Sequence, residues 1–163
     1  MIFNLSKKTP KFPLKDRKLL EEIITATISA SQLDKILPEV SKEINIVLMS
    51  DPQITEINET YLQHEGATDV ISFDYIDDYD EDFQEDDEDF VIGELYVSLD
   101  TALSQSAEYD QVFQDEVVLY IAHGMLHLIG YDDHEEEDIK EMRAAEHRVM
   151  SALRKQFDHF NFI

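Results

Sequence analysis

Two histidines four residues apart form the part of the sequence best suited to metal chemistry. His123 and His127 lie in an apolar run, and residues at this spacing project from one face of an α-helix about one turn apart. Gly130 follows, where a glycine can end the helix in a left-handed conformation and let the chain turn back. The turn would bring Asp133 or His134 toward the two imidazoles. Two imidazoles with a third nitrogen or oxygen ligand leave a fourth position open, as in catalytic zinc sites.

The residue after the first histidine argues against a peptidase. Zinc peptidases use His-Glu-x-x-His, in which the glutamate acts as the general base. In this chain the corresponding residue is Gly124, so the ligand spacing is present without that base. The pattern favours a different hydrolysis. The structural alternative is that His123 and His127 are simply buried and hydrogen-bonded to backbone or carboxylate groups.

Other polar residues are interpreted as surface groups. The carboxylates at 135–138 suit the N-terminus of a helix, where negative charge interacts favourably with the helix dipole. The remaining histidines, His64, His147 and His159, have no partner at ligand spacing and are predicted to lie on the surface.

Composition limits the classes of function. The net charge is -24, from 37 acidic and 13 basic residues, which argues against simple nucleic-acid binding through Lys and Arg. Without cysteine, any metal must be held by His, Asp, Glu or carbonyl oxygen. We find no signal peptide and no apolar run of about 18 residues, so we expect no membrane span and a cytoplasmic location.

The apolar periodicity predicts a single α+β domain over residues 1–163. The helix that carries the histidines is apolar nearly all round, which is typical of a central helix. We therefore predict a small mixed β-sheet covered by helices, with the central helix carrying the HxxxH metal motif. Predicted strands cover 43–49, 68–75 and 91–99, and predicted helices cover 14–30, 52–63, 101–108, 110–128 and 136–156.

An acidic segment, about residues 76–89, lies between the second and third of these strands. Its sequence is IDDYDEDFQEDDED, in which ten of fourteen side chains are carboxylates. Mutual repulsion favours a mobile loop over a packed element, so the segment is interpreted as a loop insertion within the domain.

Three segments resemble one known family. The stretch HGMLHLIGYD, residues 123–132, resembles the signature of the YbeY family, metal-dependent endoribonucleases of ribosomal RNA maturation. Two supporting segments occur in the same order: NETY at 58–61 followed by TDVISF at 68–73, and IGEL at 92–95. The resemblance covers about residues 43–153. It implies a single-strand-specific endoribonuclease in ribosome biogenesis, with one divalent ion, zinc, and ribosomal RNA reached through a ribosomal subunit or protein partner.

Two departures from the family pattern bear on the site. The family places a third histidine six residues after the second, and that position is Asp133 in this chain, with His134 one residue later. Register favours Asp133 as the third metal ligand beside His123 and His127, while imidazole is the commoner ligand and keeps His134 as the alternative. The family's arginine after Asn-x-x-Tyr is replaced by Leu62, which leaves its charge-stabilising role unassigned.

The sequence does not single out one residue as the general base. The candidates are Glu94, if its strand passes the metal, and whichever of Asp133 and His134 does not bind the ion. Two other functions remain open on the sequence alone. One is another zinc hydrolase, such as a peptidase with its base supplied elsewhere, and the other is a non-catalytic ribosome-associated factor with a structural metal.

Overall fold

The computed structural model describes residues 1–79 and 89–163. Within these ranges four strands form one sheet: β1 (Ile2–Lys7), β2 (Lys42–Met49), β3 (Val70–Asp74) and β4 (Phe90–Ser98). Five α-helices in the same ranges accompany it: α1 (Arg17–Ser31), α2 (Asp51–Ile57), α3 (Leu99–Glu108), α4 (Phe113–Leu128) and α5 (Glu136–Gln156).

The sheet is mixed, in the order β1-β2-β4-β3. Strands β1, β2 and β4 are parallel to one another. Strand β3 runs antiparallel to β4 and forms the edge opposite β1. The predicted α+β class with a small mixed sheet and helices is thus confirmed. None of the helices in the described part of the chain is long and apolar enough to cross a membrane.

The two faces of the sheet have different coverings. Successive side chains of a strand point to opposite faces, so Leu95 lies toward α4 whereas Glu94 and Tyr96 lie on the other face. The main core fills the space between the first face and α1, α4 and α5. A smaller apolar cluster lies on the second face beside α2 and comprises Val47, Met49, Ile54 and Ile71.

Helix α4 lies unusually close to the sheet at Gly124. A Cβ atom at this position would lie 2.8 Å from Leu95 Cδ2 and 3.1 Å from Ser72 Oγ. The absence of a side chain therefore lets the helix settle against β3 and β4. His123 is the residue before Gly124 in α4, and its ring lines a pocket together with residues of the edge strand β3.

The first strand was not predicted. In β1, Phe3, Leu5 and Lys7 are partly buried and the alternate residues are exposed. All six residues pair with β2, but the strand is short and its apolar Ile2 is exposed, so the alternation in the sequence is weak beside the strong apolar run of β2.

Two predicted helices differ in detail from the structure. The helix predicted from Thr101 begins two residues earlier, at Leu99, and Ser98 Oγ accepts the Thr101 amide at 3.1 Å. Asp100, in the first turn of α3, accepts the Asp51 amide at the start of α2, at 2.9 Å. The predicted helix 52–63 ends as α-helix at Ile57 and continues as a π-helical turn over Asn58–Leu62.

The acidic segment is described only at its ends. Ile76–Asp78 form a 3₁₀ turn, and the ring of Tyr79 packs edge-to-face on Phe90 with centroids 5.3 Å apart. Asp89 accepts a hydrogen bond from Ser41 Oγ. The interpretation of residues 76–89 as a mobile loop insertion falls mainly on 80–88, which lie outside the described residues.

Candidate metal centre

The last two turns of α4 and the turn after it build the site. His123 and His127 project from the same face of the helix, and Gly130 follows with φ +100°, as its position in the sequence predicted. The Tyr131 amide donates to the carbonyl of Leu126 at 3.1 Å, which closes the helix end. The chain then reverses, so that residues 132–134 return toward the histidines.

Three side chains converge on one point. The Nε2 atoms of His123 and His127 lie 2.9 Å apart, and Asp133 Oδ2 lies 3.4 Å and 3.6 Å from them. Ligands bonded to one tetrahedral ion at about 2.0–2.2 Å are separated by about 3.3–3.6 Å, which the two Asp133 distances match while the two imidazoles are closer together. These three residues form a group that could hold a metal ion.

The hydrogen bonds of the other ring nitrogens indicate the protonation of both imidazoles. His127 Nδ1 lies 3.0 Å from the carbonyl oxygen of Tyr131, which can only accept, so this nitrogen carries the hydrogen. His123 Nδ1 lies 2.5 Å from Glu146 Oε1, and an ionised carboxylate likewise only accepts. In the neutral rings both Nε2 lone pairs therefore face each other, an arrangement that calls for a cation or an additional proton between them.

The charges around His123 favour that cation. Burial alone would lower the pKa of His123, but the hydrogen bond and charge of Glu146, with the charges of Asp69 and Asp133, raise it above its ordinary value. Glu116 has its pKa raised by burial first and then by neighbouring carboxylates, including Asp69 and Glu146. The carboxylates of Glu146, Asp69 and Asp133 therefore favour a positive charge at His123.

The two candidate third ligands occupy different positions. Asp133 points at both histidines, as the distances above describe. The His134 side chain is 82% exposed, and its Nε2 lies 3.3 Å from Asp132 Oδ1 at the rim. The geometry therefore brings Asp133 to the histidine pair and leaves His134 beside it.

Glu94 does not fit the role of general base suggested by its sequence. It lies on the face of the sheet turned away from α4, where it accepts hydrogen bonds from Tyr96 Oη at 2.9 Å and Tyr75 Oη at 3.2 Å. The sheet separates it from His123, and it is not among the residues that line the histidine pocket. The motif predicted its strand correctly, but the alternation of side chains turned it to the other face.

The histidines open into a pocket of about 500 Å³ between α4 and the edge strand β3. Among the described residues that line it, none is a lysine or an arginine. Leu62 lies in this lining, so the position of the family's arginine contributes apolar surface. The lining also comprises Asn58, His64, Thr68, Asp69, Val70, Ile71, Ser72, His123, His127, Asp132, Asp133 and His134.

Several of these residues were not assigned to the site from the sequence. His64 is exposed, as predicted, yet it borders the pocket. Asn58 is buried, and its Nδ2 donates to the Gly66 carbonyl at 2.9 Å, which ties the π-helical turn to the loop before β3. Glu146 was missed because it lies 23 residues from His123. A carboxylate on the buried side of α5, between Met142 and Met150, was the available signal.

Comparisons with known proteins agree with this picture along almost the whole chain. The family model described as Endoribonuclease YbeY matches residues 2–154. A protein of Clostridium botulinum (strain Eklund 17B / Type B), named endoribonuclease YbeY, is 38% identical over 128 residues, covering 70% of this chain and 76% of its own. A Thermoanaerobacter (strain X514) protein of the same name is 36% identical over 141 residues, covering 82% and 87%.

A solved structure shares the fold. The solution structure of TM1509 from Thermotoga maritima superposes with a TM-score of 0.61 at 24% sequence identity, covering 94% of this chain and 90% of that one. At this identity the likeness concerns architecture alone. Together with the family model and the sequence relatives, it leads to one conclusion: the chain belongs to the YbeY family of endoribonucleases.

Proposed function

We propose that this chain is a metal-dependent endoribonuclease that hydrolyses phosphodiester bonds of single-stranded RNA during ribosomal RNA maturation and ribosome biogenesis. One observation carries the proposal: two Nε2 lone pairs and the Asp133 carboxylate converge at a pocket that is open to solvent. Names of relatives that are endoribonucleases supply the substrate class.

In this proposal His123, His127 and Asp133 hold one divalent ion, zinc. The donor set fits, because two neutral imidazoles and a carboxylate are ordinary zinc ligands and leave a fourth position free. A divalent ion bound there would make a water more acidic and polarise a phosphoryl oxygen.

The protein's own groups position the ligands and handle the proton. The Glu146 carboxylate fixes the ring of His123 through Nδ1, and the Tyr131 carbonyl fixes that of His127. His134 lies at the rim outside this set, and we assign its imidazole to accept a proton from the attacking water. We prefer it to Glu94, which lies on the opposite face of the sheet and is hydrogen-bonded to Tyr75 and Tyr96.

The charge of the chain makes recruitment part of the proposal. With a net charge of -24 and no Lys or Arg among the described pocket residues, attraction of RNA phosphates is weak. We therefore propose that a ribosomal subunit or a protein bound to it brings the RNA to this site, in the cytoplasm. The 163 residues would act as one metallo-hydrolase-like domain, with 76–89 as a loop insertion.

A cleavage assay tests the proposal. The zinc-loaded protein is incubated with a single-stranded oligoribonucleotide, with the same sequence in a duplex and with an unstructured peptide. We expect cleavage of the single strand alone, abolished by chelator and restored by metal. His127→Ala should remove both metal and cleavage, whereas His159→Ala, which changes an exposed histidine outside the pocket, should retain both.

The other two functions are separate outcomes of the same assay. Metal-dependent cleavage of the peptide without RNA cleavage would indicate a different zinc hydrolase. Stoichiometric metal with neither cleavage would indicate a non-catalytic factor with a structural metal. Either result would overturn the proposed activity.

A further inference from the structure

We propose that Tyr61 is a base-stacking residue for the RNA strand that enters the histidine pocket, and that it contributes to selection of single strands. The inference rests on the proposed function of the pocket. Tyr61 is 70% exposed, the most exposed large hydrophobic side chain in the described part of the chain. It lies on the π-helical turn directly before Leu62, which lines the pocket.

The ring of Tyr61 is held in place by a row of aromatic side chains. It packs edge-to-face on Phe73, with centroids 6.1 Å apart and an interplanar angle of 81°. Phe73 in turn packs edge-to-face on Tyr96 at 5.8 Å and 82°. Tyr96 is anchored by its hydroxyl to Glu94 at 2.9 Å. A ring ordered before binding loses little conformational freedom when a base stacks on it.

Phe73 and Tyr96 of this row lie on the second face of the sheet. Phe73 follows Ser72 on β3, and Ser72 lines the pocket while Phe73 faces the opposite side of the sheet. Leu62 lines the pocket and the preceding Tyr61 packs on Phe73, so the turn that carries both residues connects the pocket with the second face. In the proposal, an RNA strand that leaves the pocket passes over this turn and meets the exposed ring of Tyr61. Contact with Phe73 alone does not account for the position, since that packing leaves most of the Tyr61 side chain in water.

The charge distribution makes stacking the suitable mode of recognition. The described pocket residues include no Lys or Arg to neutralise phosphates, and carboxylates of Asp69, Asp132 and Asp133 border the same space. Stacking needs no positive charge and tolerates every base, because each base has a π-face. It does require an unpaired base, since a base inside a duplex already has both faces covered. Tyr61 would thus favour single strands without reading their sequence.

The test compares four variants of the zinc-loaded protein: Tyr61→Ala, Tyr61→Leu, Tyr61→Trp and Tyr109→Ala. Tyr109 is the matched control: it is a tyrosine 64% exposed at the end of α3, and neither of its chain neighbours lines the pocket, whereas Leu62 beside Tyr61 does. Binding of a fluorescent single-stranded oligoribonucleotide is followed by anisotropy before cleavage proceeds, and KM and kcat are measured separately. Zinc content and melting temperature are recorded for each variant.

We expect Tyr61→Ala and Tyr61→Leu to weaken binding and raise KM about tenfold with kcat nearly unchanged. Tyr61→Trp and Tyr109→Ala should stay within about twofold of the wild type. The slope of log affinity against log salt should not change, because loss of stacking releases no counterions. The leucine variant keeps apolar packing on Phe73, so its defect would not come from unfolding.

Equal affinity and KM in Tyr61→Leu and the wild type would overturn the inference. So would a defect of the same size in Tyr61→Trp, since that variant keeps an aromatic face. Failure of the proposed function has a different signature: the wild-type protein would bind the oligoribonucleotide without cleaving it, while the binding difference between Tyr61→Leu and Tyr61→Trp would still decide the role of Tyr61.

Discussion

Glu94 and Glu146 are both partly buried glutamates that accept hydrogen bonds, but they lie on opposite faces of the sheet. Glu146 accepts from Nδ1 of His123, whose other nitrogen faces the pocket. Glu94 accepts from the hydroxyls of Tyr75 and Tyr96, which belong to the second face. The Glu146 carboxylate therefore orients an imidazole whose other nitrogen faces Asp133 and His127, whereas the Glu94 carboxylate holds aromatic side chains in place.

The difference shows that partial burial and hydrogen bonding do not identify a functional carboxylate. What distinguishes the two is the group beyond the hydrogen-bond partner. A histidine passes the effect of its carboxylate to a second nitrogen that can bind a metal. A tyrosine hydroxyl has no second nitrogen through which its carboxylate could act on a metal.

Loss of a proposed metal ligand should have the largest effect on zinc affinity, and a substitution on the second face of the sheet should have none. Asp133→Ala should weaken zinc binding by about a hundredfold or more, because it removes one of the three proposed protein ligands. Glu94→Ala should leave zinc affinity unchanged, as measured by competition with a chromophoric chelator. His134→Ala decides the third ligand: if it weakens zinc binding more than Asp133→Ala, the ligand is His134.

Replacing the glutamate that orients His123 should give the next largest effect. Glu146→Gln should lower zinc affinity about tenfold to a hundredfold, since the amide cannot stabilise the ring orientation and basicity as a carboxylate does. The same chelator competition measures it. If Glu146→Gln lowered zinc affinity no more than Glu94→Gln does, the two glutamates would not differ in their effect on the metal.

The same pair should make the stability of the metal-free protein depend on pH. The pKa of His123 is raised from its ordinary 6.5, because Glu146 and nearby carboxylates outweigh the opposing effect of burial. The stabilisation is therefore fully present below about pH 6.5 and is lost as the pH rises through the raised value. We expect the wild type to have a larger free energy of unfolding than Glu146→Gln, and this difference should shrink as the pH rises from about 6.5 through the raised pKa of His123. Urea titrations at a series of pH values measure the difference.

On the second face, Glu94→Gln should change tyrosine ionisation without changing metal affinity. Burial first, and then the hydrogen bond and charge of Glu94, raise the pKa of Tyr96 to about 12. Removing the charge should lower that pKa toward 10, which the ultraviolet absorbance of tyrosinate detects during alkaline titration. An unchanged titration would mean that Glu94 does not control the hydroxyls it contacts.

A third carboxylate, Asp100, should give the smallest effect. Burial opposes ionisation of Asp100, but hydrogen bonds from Lys11 and the Asp51 amide, with the Lys11 charge, lower its pKa below 3.8. Its stabilisation is present above that ordinary value and is lost as the pH falls through the lowered one. Asp100→Asn should reduce the free energy of unfolding by about 0.5–1 kcal/mol near pH 7 and by less in acid. Thermal unfolding at both pH values measures the change.

The sequence predicted the strongly periodic parts of this fold. Helix α5 was predicted at its observed bounds, and the long apolar helix with both histidines begins only two or three residues after its expected start. Strand β1 was missed because it is only six residues long and its exposed Ile2 breaks the alternation of apolar and polar residues. The π-helical turn could not be predicted either, since it depends on a tertiary contact, the hydrogen bond from Asn58 to Gly66.

For the site, the sequence was informative where neighbours along the chain are also neighbours in space. His123, His127 and the Gly130 turn follow from helical spacing and glycine geometry. The place of Glu146 could not be inferred, because its register against α4 is decided by how two helices pack. Glu94 was a candidate only if its strand passed the metal, and a strand motif alone does not determine which face its polar residue takes.

The close approach of Gly124 to the sheet also limits what chemistry this scaffold can acquire. Introducing the glutamate of the zinc peptidases at this position would place a Cβ atom 2.8 Å from Leu95 Cδ2. The glutamate side chain would therefore leave the helix on the side that faces the sheet. A single substitution would therefore require the fully buried Leu95 side chain to shift before it supplied a base. The depth at which one helix lies on the sheet thus separates two hydrolytic chemistries that share the same histidine spacing.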